Sequence, residues 1–197
     1  MSAPPAAPLL LASTSPQRRA ILKQLGLPFD VVAPRYEEVD EPGLSPVKVV
    51  RAHALGKARS IAAEAGGRPV LAVDTEVVLD GEVFGKAETE ADAAEMLGRL
   101  GGKTHTVVSG LCLAAPGWEE VRHEETRVGF RPLTPRDVAV YVAAGEWRGR
   151  AGAYAVQGLG AGLVERIEGD YLNVVGLPAA VLIRLLAERF PGAYGVG

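Results

Sequence analysis

Asp74 is the first residue in this sequence placed where it could do chemistry. It ends an apolar run, Val70, Leu71, Ala72 and Val73, of the kind that forms a strand buried on both faces. Beyond it, Asp80-Gly81 between Val77, Val78, Leu79 and Glu82, Val83, Phe84 predicts a two-residue hairpin. A tight turn fixes the register: Leu79 faces Glu82, Val77 faces Phe84 and Thr75 faces Lys86, about 5 Å apart at Cβ. Alternation puts Lys86 on the face of Thr75, so sharing a site with Asp74 requires a bulge, for which Gly85 is the candidate. Cations and hydroxyls recur elsewhere. Ser13, Thr14 and Ser15 follow a first apolar run, and Arg18 and Arg19 fall in the first turn of the next predicted helix. Cations there oppose the macrodipole at a cost of about 0.3–1 kcal/mol each. Either the side chains lean into solvent or an anion sits between them and the free amides; the hydroxyls favour the anion. Lys57 lies beside the apolar stripe Val50, Ala54, Ala58, Ile61 and either snorkels or wants an inward partner. The acidic stretch Glu37, Glu38, Asp40, Glu41 is an ordinary solvated loop unless it faces an anion site, where its oxygens would hold a hard divalent cation. These are the parts for metal-assisted hydrolysis of a phosphate ester: cations balance phosphate while a carboxylate activates water.

The elements that must position these groups alternate strand and helix, then turn antiparallel. A strand at 8–12 leads to a helix at 16–25, capped by Ser15, begun by Pro16 and stopped at Gly26. A strand at 29–33, a helix from Ser45-Pro46 to about residue 65 and the hairpin follow. Thr89 and Asp92 form a capping-box pattern before a helix burying Ala93, Met96, Leu97 and Leu100. Strands are predicted at 104–108, 111–115, 120–128 and 128–131. A helix capped by Thr134-Pro135 comes next, then strands at 163–167 and 172–175, and a last helix from Pro178. Residues 149–162 are too glycine-rich for regular structure, and ordered loops of that kind let backbone approach something closely. Their spacing fits neither a dinucleotide fingerprint nor a Walker loop. No Gly-x-Ser-x-Gly elbow occurs, and His53, His105 and His123 lack zinc-ligand spacing and read as packing or surface residues.

A chain of 197 residues with 48% apolar and 23% charged residues can build one substantial core, or two lobes, unaided. A net charge of −3 gives no electrostatic case for nucleic acid or an anionic membrane. The single cysteine, Cys112, lies in an apolar run and reads as a small buried hydrophobe. MSAPPAAP lacks the charged flank and apolar stretch of a signal peptide, and no run reaches membrane-spanning length, so the expected location is the cytoplasm. A disordered tail is expected over 1–7, one two-lobed domain over 8–192 and a short tail over 193–197.

Several separated motifs resemble the Maf nucleotide pyrophosphatases: LLLASTSPQRRAIL, HALGKA, AVDTEV, FGKAET, GGKTHTV, AGAYAVQGLGAGLVERIEGDY and NVVGLP. The resemblance spans nearly the whole chain. It implies an α/β fold with a Maf/ITPase-like mixed twisted sheet flanked by helices, two lobes with a central cleft, and usually a homodimer. It further implies hydrolysis of nucleoside triphosphates to monophosphate and pyrophosphate with Mg2+, Mn2+ or Co2+. By this resemblance Asp74 is the catalytic base, acting with Lys57 and Lys86. Ser13 and Arg18 bind phosphate, while Glu37 and Asp74 hold metal. AGAYAVQG is similar to the dTTP/UTP-hydrolysing branch, in which Gln157, Thr75 and the position of Gln17 set specificity. A carboxamide both donates and accepts, matching a uracil or thymine edge, whereas a glutamate would suit a donor-rich purine edge. Gln17 replaces a usual arginine, Arg150 a usual lysine and Ala87 a usual proline. A nucleotide-sensing regulator of cell division without turnover, and a purine-selective pyrophosphatase of the 7-methyl-GTP type, stand as alternatives.

Overall fold

The first apolar run forms β1 (Leu9–Ala12), buried throughout. It pairs in parallel with β2 (Phe29–Val32) and with β3 (Val70–Leu79). With β4 (Glu82–Phe84), β5 (Thr104–Ala115), β6 (Trp118–Phe130) and β7 (Val164–Glu168) these make a mixed seven-stranded sheet. Its order is β2-β1-β3-β5-β6-β7, with β4 on β3. The helices are α1 (Pro16–Gln24), α2 (Pro46–Ser60), α3 (Glu90–Leu100), α4 (Pro135–Ala144), α5 (Tyr171–Val175) and α6 (Ala179–Arg189). The expected α/β class with a mixed sheet and flanking helices is therefore present. The computed structural model describes residues 7–39 and 43–195. The tail expected over 1–7, apart from Ala7, lies outside them, as do Asp40, Glu41 and Pro42 of the acidic stretch and the last two residues of the C-terminal tail. Among the described residues no helix is long and apolar enough to cross a membrane.

The chain divides into two compact units, one of residues 1–74, 109–124 and 176–197, the other of 75–108 and 125–175. In the first, Leu10, Ala12, Val70 and Ala72 pack with Ala54 and Ala58 of α2, with Ile61 just past its end and with Cys112. Gly110 of β5 lets α2 lie on the strand, since a Cβ there would meet the Val50 carbonyl oxygen at 2.2 Å. In the second, Phe84, Leu97, Leu100, Val128, Phe130 and Trp147 form the centre of the core. Reciprocal capping boxes start α3 at Thr89/Asp92 and α4 at Thr134/Asp137.

Five sequence expectations are revised. The strand before Asp74 does not stop there but runs to Leu79. The strands predicted at 104–108 and 111–115 are one, because Gly110 serves the α2 contact rather than a break, and 120–131 is likewise continuous from Trp118. α2 ends at Ser60, whose hydroxyl donates to the Lys57 carbonyl and accepts from Arg35 N–H, not near residue 65. Residues 171–175 are a helical turn, not a strand. The Asp170 side chain accepts from the N–H groups of Leu172 and Asn173, and this cap overrides the β-branched Val174 and Val175. The hairpin has the expected register over Val77↔Phe84 and Leu79↔Glu82, with Asp80 at φ 53° and Gly81 at φ 84° in the turn. However, Lys86 bridges Ala151 instead of Thr75.

Candidate active site

Parallel pairing sets Ala12 opposite Ala72, so the carboxyl end of β1 lies beside the middle of β3, and the residues that follow these two are brought near each other. Ser13 follows Ala12 directly, Asp74 lies two residues past Ala72, and both are buried. Ser15 caps α1 by accepting the Arg18 N–H and donates its hydroxyl proton to Gln17 Oε1 at 3.1 Å. Arg18 does not lean into solvent. Its guanidinium turns back, Nη1 donating to Ser13 Oγ at 3.3 Å and Nε to the Gly176 carbonyl at 2.9 Å. Burial pushes this guanidinium below its ordinary value, and the negative charges of Asp74 and Glu38 oppose that. Arg19 is exposed.

On α2, His53 and Lys57 are four residues apart and therefore share a face. Lys57 Nζ lies 2.5 Å from Asp74 Oδ1 and 2.7 Å from Glu38 Oε1, while His53 Nδ1 lies 3.4 Å from Asp74 Oδ2. The lysine thus has its inward partner. Glu38 is brought here by Tyr36, whose ring lies against α2 at Gly56: a Cβ on Gly56 would come within 2.2 Å of it. The same ring meets His53 edge-on, centroids 5.8 Å apart. Both Glu37, the residue expected to hold metal, and Glu38 are exposed, and the carboxylate that reaches Lys57 is that of Glu38.

One ligand atom from each of Glu38, His53 and Asp74 lies within 4.8 Å of the other two. Opposite ligands of an ion with bonds of about 2.2 Å are about 4.4 Å apart, so a divalent cation fits after a small inward movement. Asp74 Oδ2 is buried and makes no hydrogen bond. Lys57 and Arg18 are already matched by Asp74 and Glu38, so a polyphosphate entering this cluster must bring further positive charge.

The remaining expected residues lie in the second unit. Thr75 follows Asp74 in β3 and is half-buried; Lys86 and Gln157 are exposed. Gln157 precedes a short 3-10 turn, residues 158–163, that Glu146 secures by accepting the N–H groups of Leu159 and Gly160. Tyr141 accepts the Ala155 N–H at 2.9 Å, and Tyr154 shares a 2.8 Å hydrogen bond with His105, so the glycine-rich stretch is ordered. Arg150 is half-buried, and burial lowers its pKa.

The sequence matches the Maf-like protein family over residues 8–189. The chain belongs to the Maf family. Curated relatives support the assignment over most of the chain. A dTTP/UTP pyrophosphatase of Gloeobacter violaceus is 47% identical over 180 residues, covering 91% of this chain and 95% of its own. One from Moorella thermoacetica is 50% identical over 91% of this chain and 93% of its own. One from Deinococcus radiodurans is 41% identical over the full length of both. Among solved structures, the Staphylococcus aureus Ham1 protein gives a TM-score of 0.44 at 18% identity, covering 63% of this chain and 72% of that one, too loose a likeness to argue from. Sequence reasoning read His53 as a packing or surface residue and, within the acidic stretch, singled out Glu37, whereas the carboxylate beside Lys57 is that of Glu38. The signal for His53 was its four-residue offset from Lys57; for Glu38 it was the aromatic residue two positions earlier, opposite a helical glycine.

Proposed function

We propose that this chain hydrolyses dTTP and UTP to the monophosphate and pyrophosphate. The observation that carries the reading is the buried contact of Lys57 with Asp74, with Arg18 close enough to feel the same carboxylate. The names of the relatives supply the substrates. In this reading Asp74 takes the proton of a water molecule that attacks the α-phosphorus. The bond from that phosphorus to the bridging oxygen breaks, and pyrophosphate leaves. Lys57 and Arg18 balance charge as it moves onto the leaving group, and Ser13 holds Arg18 in place. A divalent cation, when bound by Asp74 with Glu38 or Glu37, supplies the extra positive charge and lowers the pKa of bound water. Lys86, Thr75, Gln17 and Gln157 contact substrate, with Gln157 choosing the base. The protein acts in the cytoplasm as a homodimer.

Pyrophosphate release over a panel of canonical and modified nucleoside triphosphates tests the reading. dTTP and UTP are expected to turn over fastest, and Gln157→Glu to lose that preference. Tight binding without release would favour a sensor, and preferred release from 7-methyl-GTP a purine-selective enzyme.

A further inference from the structure

Gln157 stands at the head of the 3-10 turn 158–163, in the position whose side chain ordinarily accepts the N–H groups two and three residues on. Its carboxamide makes no such bond. Glu146, two residues past α4, takes that place from outside the turn: Oε1 accepts the Leu159 N–H at 3.1 Å and Oε2 the Gly160 N–H at 3.2 Å. The carboxylate lies so near that a Cβ on Gly158, at φ 64°, would come within 2.5 Å of Oε1. The preceding leg is held as well. Tyr141 of α4 accepts the Ala155 N–H at 2.9 Å, and Val156 is buried in the core of this unit. Ala155 and Gly160 close the loop on itself, since a Cβ on Gly160 would meet the Ala155 carbonyl oxygen at 1.7 Å. Gln157 sits between these two fixed points, exposed at the tip.

We infer that Glu146 is a positioning residue for base selection: by capping the turn in place of Gln157, it leaves the Gln157 carboxamide to read the pyrimidine edge from a fixed backbone. Without Glu146, the N–H groups of Leu159 and Gly160 would draw the acceptor at the head of their own turn, Gln157 Oε1. A uracil or thymine edge presents an N–H beside a carbonyl, so the carboxamide needs its oxygen and its NH2 together. Capping by Gln157 itself would spend the oxygen and turn the NH2 away. The charge of Glu146 also reaches Arg150, where it opposes the lowering of the guanidinium by burial, so the test must separate the cap from the charge. The inference rests on the reading that Gln157 chooses the base, and it names the group that keeps that side chain available.

The quantity to measure on the full chain is kcat/KM for dTTP divided by that for 7-methyl-GTP. Glu146→Ala is expected to lower this ratio about tenfold, and Glu146→Gln, which keeps one accepting oxygen but no charge, about threefold. A loss in Glu146→Gln as large as in Glu146→Ala would assign the effect to charge and overturn the inference. In a Gln157→Ala background, Glu146→Ala should change the ratio no further, because the side chain it serves is gone; a second tenfold fall would overturn the inference. If Glu146→Ala does not fold, wild-type protein and Glu146→Gln decide the matter. Hydrogen exchange at the Leu159 and Gly160 amides should be slow in wild type and about tenfold faster in Glu146→Gln; free exchange of both in wild type would show that the cap is not held. Wild-type turnover without preference for dTTP defeats the reading at Gln157 and this inference with it. A wild-type preference that survives Glu146→Ala in a folded protein defeats the inference alone.

Discussion

At Asp74 one carboxylate has two tasks, since Oδ1 receives an ammonium while Oδ2 remains available to water or a cation. Asp74→Asn removes the proposed base and is expected to lower turnover about 10²–10⁴-fold. Folding should survive, because Lys57 keeps Glu38 at 2.7 Å as a partner. Circular dichroism and a pyrophosphate assay on the same preparation check both halves; retention of most activity would remove Asp74 from the role of base. Part of this was legible in the sequence: the acid closing an apolar run, the lysine beside a helical stripe and one of the two arginines at a helix start, Arg18, lie close together, while Arg19 is exposed. The choice between Glu37 and Glu38 was not, because loop carboxylates have no periodicity to read and only the Tyr36 contact fixes which one turns inward. His105 offers a prediction of another sort. Burial pushes its imidazole down to about 4, below the ordinary value near 6.5, so the unfolded chain takes up the proton first. Its contribution is therefore whole above pH 6.5 and fades as pH falls toward 4, amounting to about 2 kcal/mol between pH 7 and pH 5. Urea titrations at those two pH values should show a loss in wild type that shrinks in His105→Gln, a side chain still able to pair with the Tyr154 hydroxyl; equal losses would assign the pH dependence to other groups.

Among the elements, α2 couples scaffold and chemistry most closely. One face packs Ala54 and Ala58 into the core, while His53, Gly56 and Lys57 face the candidate site. Gly56 has ordinary helical backbone, so alanine there would favour the helix by about 0.5–1 kcal/mol. Its Cβ, however, would displace the Tyr36 ring and with it Glu38. Gly56→Ala is thus expected to melt no lower than wild type while losing about tenfold in turnover; full activity would show that Glu38 is placed by something else. The sequence marks α2 through its apolar stripe but overruns its end, because the hydrogen bonds of Ser60 to Lys57 and Arg35 are tertiary facts invisible to helical periodicity. The stretch at 171–175 failed for the related reason that a single aspartate cap outweighs β propensity over five residues. The Thr89/Asp92 capping box, the Thr134 cap and the Asp-Gly turn, where the chemistry is local, are present as expected, while the reciprocal bond from Asp137 was not anticipated. Lys86 departs from its partner because Gly85 releases the strand and the glycine-rich stretch offers Ala151 instead.

For the whole molecule, the chain passes between its two units four times, three of them inside β3, β5 and β6. Strands shared in this way should make unfolding a single transition. Each unit carries one tryptophan, Trp118 against Phe190 in the first and Trp147 donating to the Val142 carbonyl in the second. In Trp147→Phe and Trp118→Phe, fluorescence from the remaining indole should therefore give the same urea midpoint as far-UV circular dichroism. A fluorescence midpoint that leads or lags would mean the units melt separately. Cys112 adds a second reporter. It is the only cysteine, it is fully buried between strand and helix, and its surroundings push the thiol up to about 12. A thiol reagent mixed with the folded protein accordingly finds nothing to attack, and the pace at which it is eventually consumed becomes a clock for spontaneous openings of the first unit, with no engineered label.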